Sequence, residues 1–149
     1  MSNVNKNVLI TIINSNKYLS LATTDGQSPW VAPLYYCLDQ EFNLYFISQL
    51  DSVHSQHLVK NPKVAFAIFD SHQEEGTGNG IQGSGVVKLL TGDDLKEGLK
   101  HYHTNFVDLN YENLSKDGGY KLFKLEVQKW YILDTEVDTD KRVEVKLEI

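Results

Sequence analysis

The chain has one cysteine, Cys37, with three prolines and one methionine in 149 residues. A lone thiol closes no internal disulfide, and no paired metal-thiolate spacing is present, so the sequence suits a reducing cytoplasm. Basic residues are scarce as well: 14 Lys and Arg face 20 Asp and Glu, giving a formal charge of -6, and no Lys/Arg cluster occurs. That balance argues against gripping a phosphate backbone, so nucleic acid is not an expected partner. No apolar run approaches the ~20 residues a membrane-spanning helix needs. The opening stretch MSNVNKNVLITIINSNKY is interrupted by asparagines and followed by no small-residue cleavage site, which excludes a signal peptide. The expectation is a soluble cytoplasmic protein with residues 1–149 forming a single domain.

What is present is mostly strand-like. Val8, Leu9, Ile12 and Ile13 recur at helical spacing and predict a short amphipathic N-terminal helix. Tyr18 to Thr24 alternates as a strand, Asp25-Gly26 signals a turn, and Pro29 to Leu38 resumes extended structure, a hairpin pattern. Pro33 has no N–H to give a ladder, so its strand is an edge, a bulged segment or one opened for a ligand. After a turn at Asp39-Gln40-Glu41 comes the most informative stretch, Leu44 to Phe69 (LYFISQLDSVHSQHLVKNPKVAFAIF). It reads as a strand, a helix from Val53 to Lys60 capped by Asp51 or Ser52 and stopped by Asn61-Pro62, then a strand from Val64 to Phe69. Both faces of that last strand are apolar, so both are expected to be covered, one by the fold's own core and the other open to a partner subunit.

Ser71 to Gly80 reads as a mobile surface loop, and Ile81 to Leu90 as a strand bent by Gly83 and Gly85. From Asp93 the spacing of Leu95, Leu99, Tyr102 and Phe106 predicts one helix. Val107 to Gly119 is polar and turn-rich, Tyr120 to Asp134 is a long strand, and Arg142 to Ile149 is a last strand or an exchanged arm. Antiparallel meanders with helices at the ends give an α+β fold, mainly antiparallel β, around a barrel.

A strand followed by a helix N-terminus exposes unpaired amides and the positive end of the helix dipole, a setting suited to phosphate. Ser52 could add a hydroxyl there and His54 a further donor; the plainer alternative is that Ser52 only caps the helix and His54 faces solvent. Gly78-Asn79-Gly80-Ile81-Gln82-Gly83 spells G-x-G-x-x-G, but it leads into a strand where a dinucleotide site needs a helix. His54 and His57 share a helical face without completing a metal ligand set, so no metal is expected. Cys37 in a strand reads as a small buried apolar residue.

The order YLSLATTDGQSPWVAPLYYCLD, LYFISQLDSVHSQHLVKNPKVAFAIF, IQGSGVVKLL resembles the pyridoxamine 5'-phosphate oxidase-like, flavin-binding split-barrel family, most closely over Tyr18 to Leu90. The resemblance implies a six-stranded split β-barrel with flanking helices, a homodimer formed through the barrel face, and two FMN molecules in clefts between subunits. It places Val31, Ala32, Pro33 and Leu34 beside the isoalloxazine, Ser48 and Gln49 at the end of the third strand, Ser52, Val53 and His54 at the phosphate, and Gln82 on a strand that approaches the flavin from the partner. Where the family carries Arg or Lys, this chain has Val53 and His54, which implies weaker FMN binding. The tail also lacks the Arg-x-His substrate motif of true pyridoxamine phosphate oxidases. The implied function is an FMN-dependent oxidoreductase exchanging a hydride with NAD(P)H or a small organic substrate, with no assigned catalytic side chain. The alternative is a non-catalytic barrel that binds a flavin, haem or other small molecule for storage or sensing.

Overall fold

The computed structural model describes residues 3–138 and 140–148, so Ile149, which ends the tail read as a strand, lies outside the described residues, as do Met1, Ser2 and Thr139. The first element is helix α1 (Asn3–Ser15), whose Leu9, Ile12 and Ile13 are buried as their spacing predicts. Strands β1 (Tyr18–Thr24) and β2 (Pro29–Tyr35) pair as a hairpin in full register, from Tyr18 opposite Tyr35 to Thr24 opposite Pro29. The Asp25 carboxylate accepts from the Gln27 and Ser28 amides at 2.9 and 2.8 Å and fixes the turn.

The extended run from Pro29 to Leu38 is broken once, at Tyr36, into β2 and a short β3 (Cys37–Leu38). Tyr36 is buried; its N–H donates to the Lys17 carbonyl at 3.0 Å and its hydroxyl to the Ile13 carbonyl at 2.6 Å. Before the break the chain pairs with β1, and after it with β4 (Leu44–Gln49). Helix α2 (Val53–Lys60) follows, then β5 (Lys63–Phe69), β6 (Gly80–Leu89), α3 (Gly92–Gly98), α4 (Tyr111–Ser115), β7 (Tyr120–Leu133) and β8 (Arg142–Val145).

All pairings are antiparallel, in the order β2-β1-β5-β6-β7-β4-β3 with β8 on β7. With β2 and β3 taken as one bent strand and β8 set aside as an addition to β7, this is a six-stranded barrel that splits between β2 and β4, the architecture implied by the sequence. Of the tail, which the sequence left as a strand or an exchanged arm, Arg142–Val145 form a strand on β7.

The barrel interior is one apolar cluster in which Phe46 stacks on Phe123 at 5.2 Å and Phe66 meets Trp130 edge-on at 5.4 Å. A second, smaller cluster lies on the outer side of β4 and β7, where Tyr45 and Leu122 meet Leu95, Tyr102 and Leu114. Burial of each such side chain contributes ~1.5–3 kcal/mol.

Two sequence expectations are corrected. The helix predicted from Asp93 through Phe106 ends at Gly98, which lies so close to Leu90 and Leu122 that a Cβ would collide with Leu90. Beyond it Tyr102 turns inward against Tyr35, and Phe106 stays 74% exposed, so tertiary packing overrides the helical spacing. The stretch Val107 to Gly119 is not all loop: α4 forms there because the Asn110 side chain caps the Asn113 amide at 2.8 Å and Leu114 is buried. Within the single chain the core covers one face of β5: Val64, Phe66 and Ile68 are buried, whereas Ala65 is exposed, Ala67 half-buried and Phe69 52% exposed, which leaves the other face as the one the sequence reading gave to a partner subunit.

The two glycines of β6 are close-approach positions. A Cβ on Gly83 would enter the Phe66 ring, and one on Gly85 would strike the Glu126 carbonyl, beside the point where the β6–β7 register shifts. Backbone cannot yield as a side chain does, so Gly85→Ala is expected to cost about 2–3 kcal/mol of unfolding free energy in a urea titration. A loss below ~0.5 kcal/mol would show that the strands part easily at this point.

Candidate functional site

At the end of β4 the chain alternates direction: Ser48 points into the barrel while Ile47 and Gln49 lie on the outer side, Gln49 being exposed. The chain then turns through Leu50 and Asp51 into α2, with Ser52 as N-cap. Ser52 Oγ accepts from the Ser55 amide at 3.2 Å, and the Ser52 carbonyl takes the Gln56 amide at 3.0 Å. Of the four amides that open the helix, those of Val53 and His54 have no protein acceptor among the described residues.

Ser48, Ser52, His54 and Ser55 form one hydrogen-bonded knot at this helix start. His54 Nε2 lies 2.6 Å from Ser48 Oγ and 3.3 Å from Ser52 Oγ, and Ser55 Oγ donates to Ser48 Oγ at 3.2 Å. The Ser52 hydroxyl is 2.8 Å from Ser55 Oγ and 2.9 Å from the Gln49 carbonyl. His54 is 8% exposed; burial, with the neighbouring His57 imidazole, holds its pKa below the ordinary histidine value, so the ring is neutral at pH 7. His57 is also buried, its Nδ1 3.0 Å from Thr23 Oγ1, which ties α2 to β1. Across the β4–β7 ladder Ser48 faces Lys121, a lysine only 8% exposed whose ammonium donates to the Lys116 and Gly118 carbonyls.

The four β2 residues named from the sequence divide by the strand's two faces. Val31, 61% exposed, and Pro33, also exposed, point outward; Ala32 is buried and Leu34 packs partly on the core. The strand pairs with β1 alone, so its other edge, facing the split, offers backbone groups that no strand takes. Gln82 is on β6, exposed, in one cross-strand row with Pro33, Ser20 and Ala67. Three strand spacings separate it from Pro33, ~14 Å. The structure thus gathers Ser48, Ser52 and His54, sets Gln49 and Val53 at their rim, keeps Val31 to Leu34 along the neighbouring edge, and leaves Gln82 apart.

Beside the knot, on the outer side of the barrel, lies a cleft of about 650 Å3. Ile47 and Tyr120 line it from β4 and β7, Tyr18 and Tyr35 from the hairpin, and Tyr102 to Phe106 from the segment after α3. The rings meet edge to face: Tyr18–Tyr35 at 5.9 Å, Tyr35–Tyr102 at 6.0 Å, Phe106–Tyr120 at 6.1 Å. Burial pushes the Tyr102 phenol well above its usual range, with Cys37 and Tyr35 adding to the rise. Cys37, read as a buried apolar residue, is half-buried and holds the segment's backbone, accepting from the His103 amide at 3.4 Å.

Sequence reasoning missed Ser55, Lys121 and this cleft. Ser55 had a signal, since a serine three residues after an N-cap serine is placed to bond it. Lys121 and the tyrosines come together only through cross-strand register. No group of three or more His, Cys, Asp or Glu suited to a metal occurs among the described residues. None of their helices is long and apolar enough to cross a membrane.

Comparison with known proteins gives a family and a fold. A family model described as pyridoxamine 5'-phosphate oxidase matches residues 8–134. A UPF0306 protein of Yersinia pestis is 26% identical over 108 residues, covering 71% of this chain and 74% of its own. Among solved structures, a heme binding protein from Mycobacterium smegmatis superposes with a TM-score of 0.74 at 18% identity, over 97% of this chain and 59% of that one. The chain therefore spans about three fifths of that protein's length. HutZ, the heme storage protein from Vibrio cholerae, superposes with a TM-score of 0.65 at 19% identity, over 86% of this chain and 94% of its own.

The neutral imidazole at the helix start has a measurable consequence. Because the folded pKa of His54 lies below the unfolded value of about 6.5, the unfolded chain takes up this proton first, and acidification favours unfolding. Stability from this group is whole above about pH 6.5 and is lost as pH falls through the lower folded value. The melting temperature of the wild type is expected to drop more steeply between pH 7 and pH 5 than that of His54→Gln, which keeps a hydrogen-bonding side chain and cannot titrate. Parallel melting curves for the two proteins across that range would contradict a buried neutral ring.

Proposed function

Because this chain belongs to the pyridoxamine 5'-phosphate oxidase family, we propose that it is an FMN-dependent oxidoreductase acting as a homodimer on a small organic substrate. The observations that carry this reading are the free edge of β2, a strand in contact with α2, and the unclaimed amides that open that helix. A flavin mononucleotide needs both: backbone donors and acceptors along a ring edge, and an anion site at one end. Val53 and His54 amides with the Ser52 hydroxyl would hold the phosphate, and Val31 to Leu34 would lie along the ring. When bound, the flavin supplies hydride exchange at its N5 position. The chain's own residues bind, orient and exclude water, so the absence of an acid–base pair in the site is consistent with the reading.

The dimer is supported by the outer face of β2-β1-β5-β6. Its central rows read Val31-Ala22-Ala65-Ser84 and Pro33-Ser20-Ala67-Gln82, small and uncharged throughout. A face of this kind, bare in one chain, fits a second copy, and Gln82, out of reach of a flavin on its own β2, would then serve the partner's.

Two features favour a second reading, a haem or flavin carrier without turnover. His54 is neutral where the family resemblance expects a cation, and two solved structures of this fold are described as heme proteins. The absorption spectrum of the purified protein separates the readings: flavin bands with NAD(P)H-dependent bleaching support the oxidoreductase, a Soret band and no turnover the carrier.

Two variants test the site. Val53 is exposed on the first turn of α2, so Val53→Arg adds a permanent cation without disturbing the core. It is expected to tighten FMN binding about tenfold or more, as read by quenching of flavin fluorescence, since a charge-assisted hydrogen bond is worth ~1.5–3 kcal/mol. An unchanged dissociation constant would move the phosphate elsewhere. Ala65→Glu, a charge at the centre of the bare face, is expected to yield a folded monomer by light scattering and to weaken FMN binding with it. A dimer that persists in this variant would rule this face out as the interface.

A further inference from the structure

The start of α2 has no permanent cation, but it contains a ring that can become one. His54 is 8% exposed, and its Nε2 lies 3.3 Å from Ser52 Oγ, the hydroxyl that caps the helix beside the unclaimed amides. The ring is therefore close to any anion held there. An anion oxygen at hydrogen-bonding distance from Ser52 Oγ, ~3 Å, lies no more than ~6 Å from this nitrogen, given the 3.3 Å between the two. At that range inside a protein a negative charge strongly favours a positive partner.

The groups around the ring leave its charge undecided until a ligand arrives. On α2 its titratable neighbour is His57, tied to Thr23 of β1; on β7, Lys121 stands opposite Ser48 but gives its ammonium to the Lys116 and Gly118 carbonyls. Asp51, in the turn before the helix, is exposed, and β4 contributes the Ser48 hydroxyl. No carboxylate among the described residues bonds the imidazole, so burial first and His57 second keep the free ring neutral. The charged form is nevertheless tolerated. Hydroxyls accept hydrogen bonds as readily as they donate them, so a protonated Nε2 would keep Ser48 and Ser52 as partners.

We propose that the His54 imidazole takes up a proton when a phosphate monoester docks at the start of α2, so that it selects FMN over riboflavin and holds it more tightly as the solution turns acidic. This rests on the reading that places a flavin phosphate at α2; the proton comes from the buffer. The sign distinguishes the ring from its neutral neighbours. A phosphate monoester loses its second charge as pH falls through about 6, so amides and hydroxyls alone would bind FMN more weakly in acid. Proton uptake by His54 acts the other way: affinity rises as pH falls from the pKa of the ring in the complex towards that of the free ring, and levels off below it. At pH 7.5 and above, the phosphate would meet the neutral contacts alone.

The test is calorimetric titration of the full chain with FMN and with riboflavin, which lacks the phosphate, between pH 7.5 and pH 6 in two buffers of different ionisation enthalpy. The wild type is expected to bind FMN about fivefold more tightly at the acidic end, taking up roughly half a proton midway, while riboflavin shows neither effect. His54→Gln is expected to reverse the trend for FMN and to release a small fraction of a proton. NMR of the wild type gives the same answer without a variant: the His54 ring resonance is expected to titrate at higher pH with FMN bound than without. FMN binding without proton uptake, uptake that persists in His54→Gln, equal uptake with riboflavin, or an unmoved ring titration would overturn the inference and leave the oxidoreductase reading standing. If FMN binds at no pH in this range, both fall together.

Discussion

A single buried hydrogen bond, from the Tyr36 hydroxyl to the Ile13 carbonyl at 2.6 Å, holds the point where one strand becomes two. The strand's first part stays with β1 and its second crosses to β4, so the barrel closes at one end and splits at the other. The free edge of β2, the start of α2 and the tyrosine cleft all border that split. Tyr36 also joins the ends of α1 and β1 through Ile13 and Lys17, which makes the N-terminal helix part of the device. Without this anchor, β2 would be free to zip on towards β4, satisfying its backbone there and erasing the edge a ligand needs.

The electrostatics of the helix start follow from packing. A histidine at the second position of α2 could have faced solvent, where it would titrate near pH 6.5. It turns inward instead, because Ser48 and Ser52 offer hydroxyls at hydrogen-bonding distance, Ser55 holds the Ser48 hydroxyl from behind, and the barrel covers the ring. The cost is a proton, since the desolvated ring stays neutral. Lys121 shows the other solution to burial on the neighbouring strand: its ammonium is satisfied by two backbone carbonyls. An anion at the start of α2 would therefore meet amides, a hydroxyl and the helix dipole.

Much of this fold was legible in the sequence, for physical reasons that differ by segment. The β1–β2 hairpin was readable because Asp25-Gly26 has one favoured geometry, and α2 because Ser52 and Asn61-Pro62 mark its ends. The strands were readable from their period of two. The segment from Leu99 to Gly119 was not, because its conformation is set by distant partners: Tyr102 by Tyr35, Phe106 by Tyr120, the backbone at His103 by Cys37. The split itself was half legible. Pro33 marked an edge, but nothing local announces that Tyr36 is where the strand divides. For the site, Ser48, Ser52 and His54 were legible as a group, whereas the inward turn of His54 depends on Ser55 and on the barrel mouth.

These features bear on how a flavin could be held. A neutral helix start forgoes the charge-assisted contacts, ~1.5–3 kcal/mol each, that paired cations would give a phosphate. On the proposed reading, affinity would then come from the other end of the ligand, where the ring would meet β2 and the partner's face. Small residues dominate that face: Ala22, Ser20, Ala65 and Ala67 allow a second backbone to approach closely, and a planar ring held between the two copies of the proposed dimer would be desolvated on both sides. The consequence is coupling. In the proposed dimer, with neutral phosphate contacts, cofactor retention would depend on the integrity of the subunit interface more than on the helix start, so ring and subunit contact would stabilise one another.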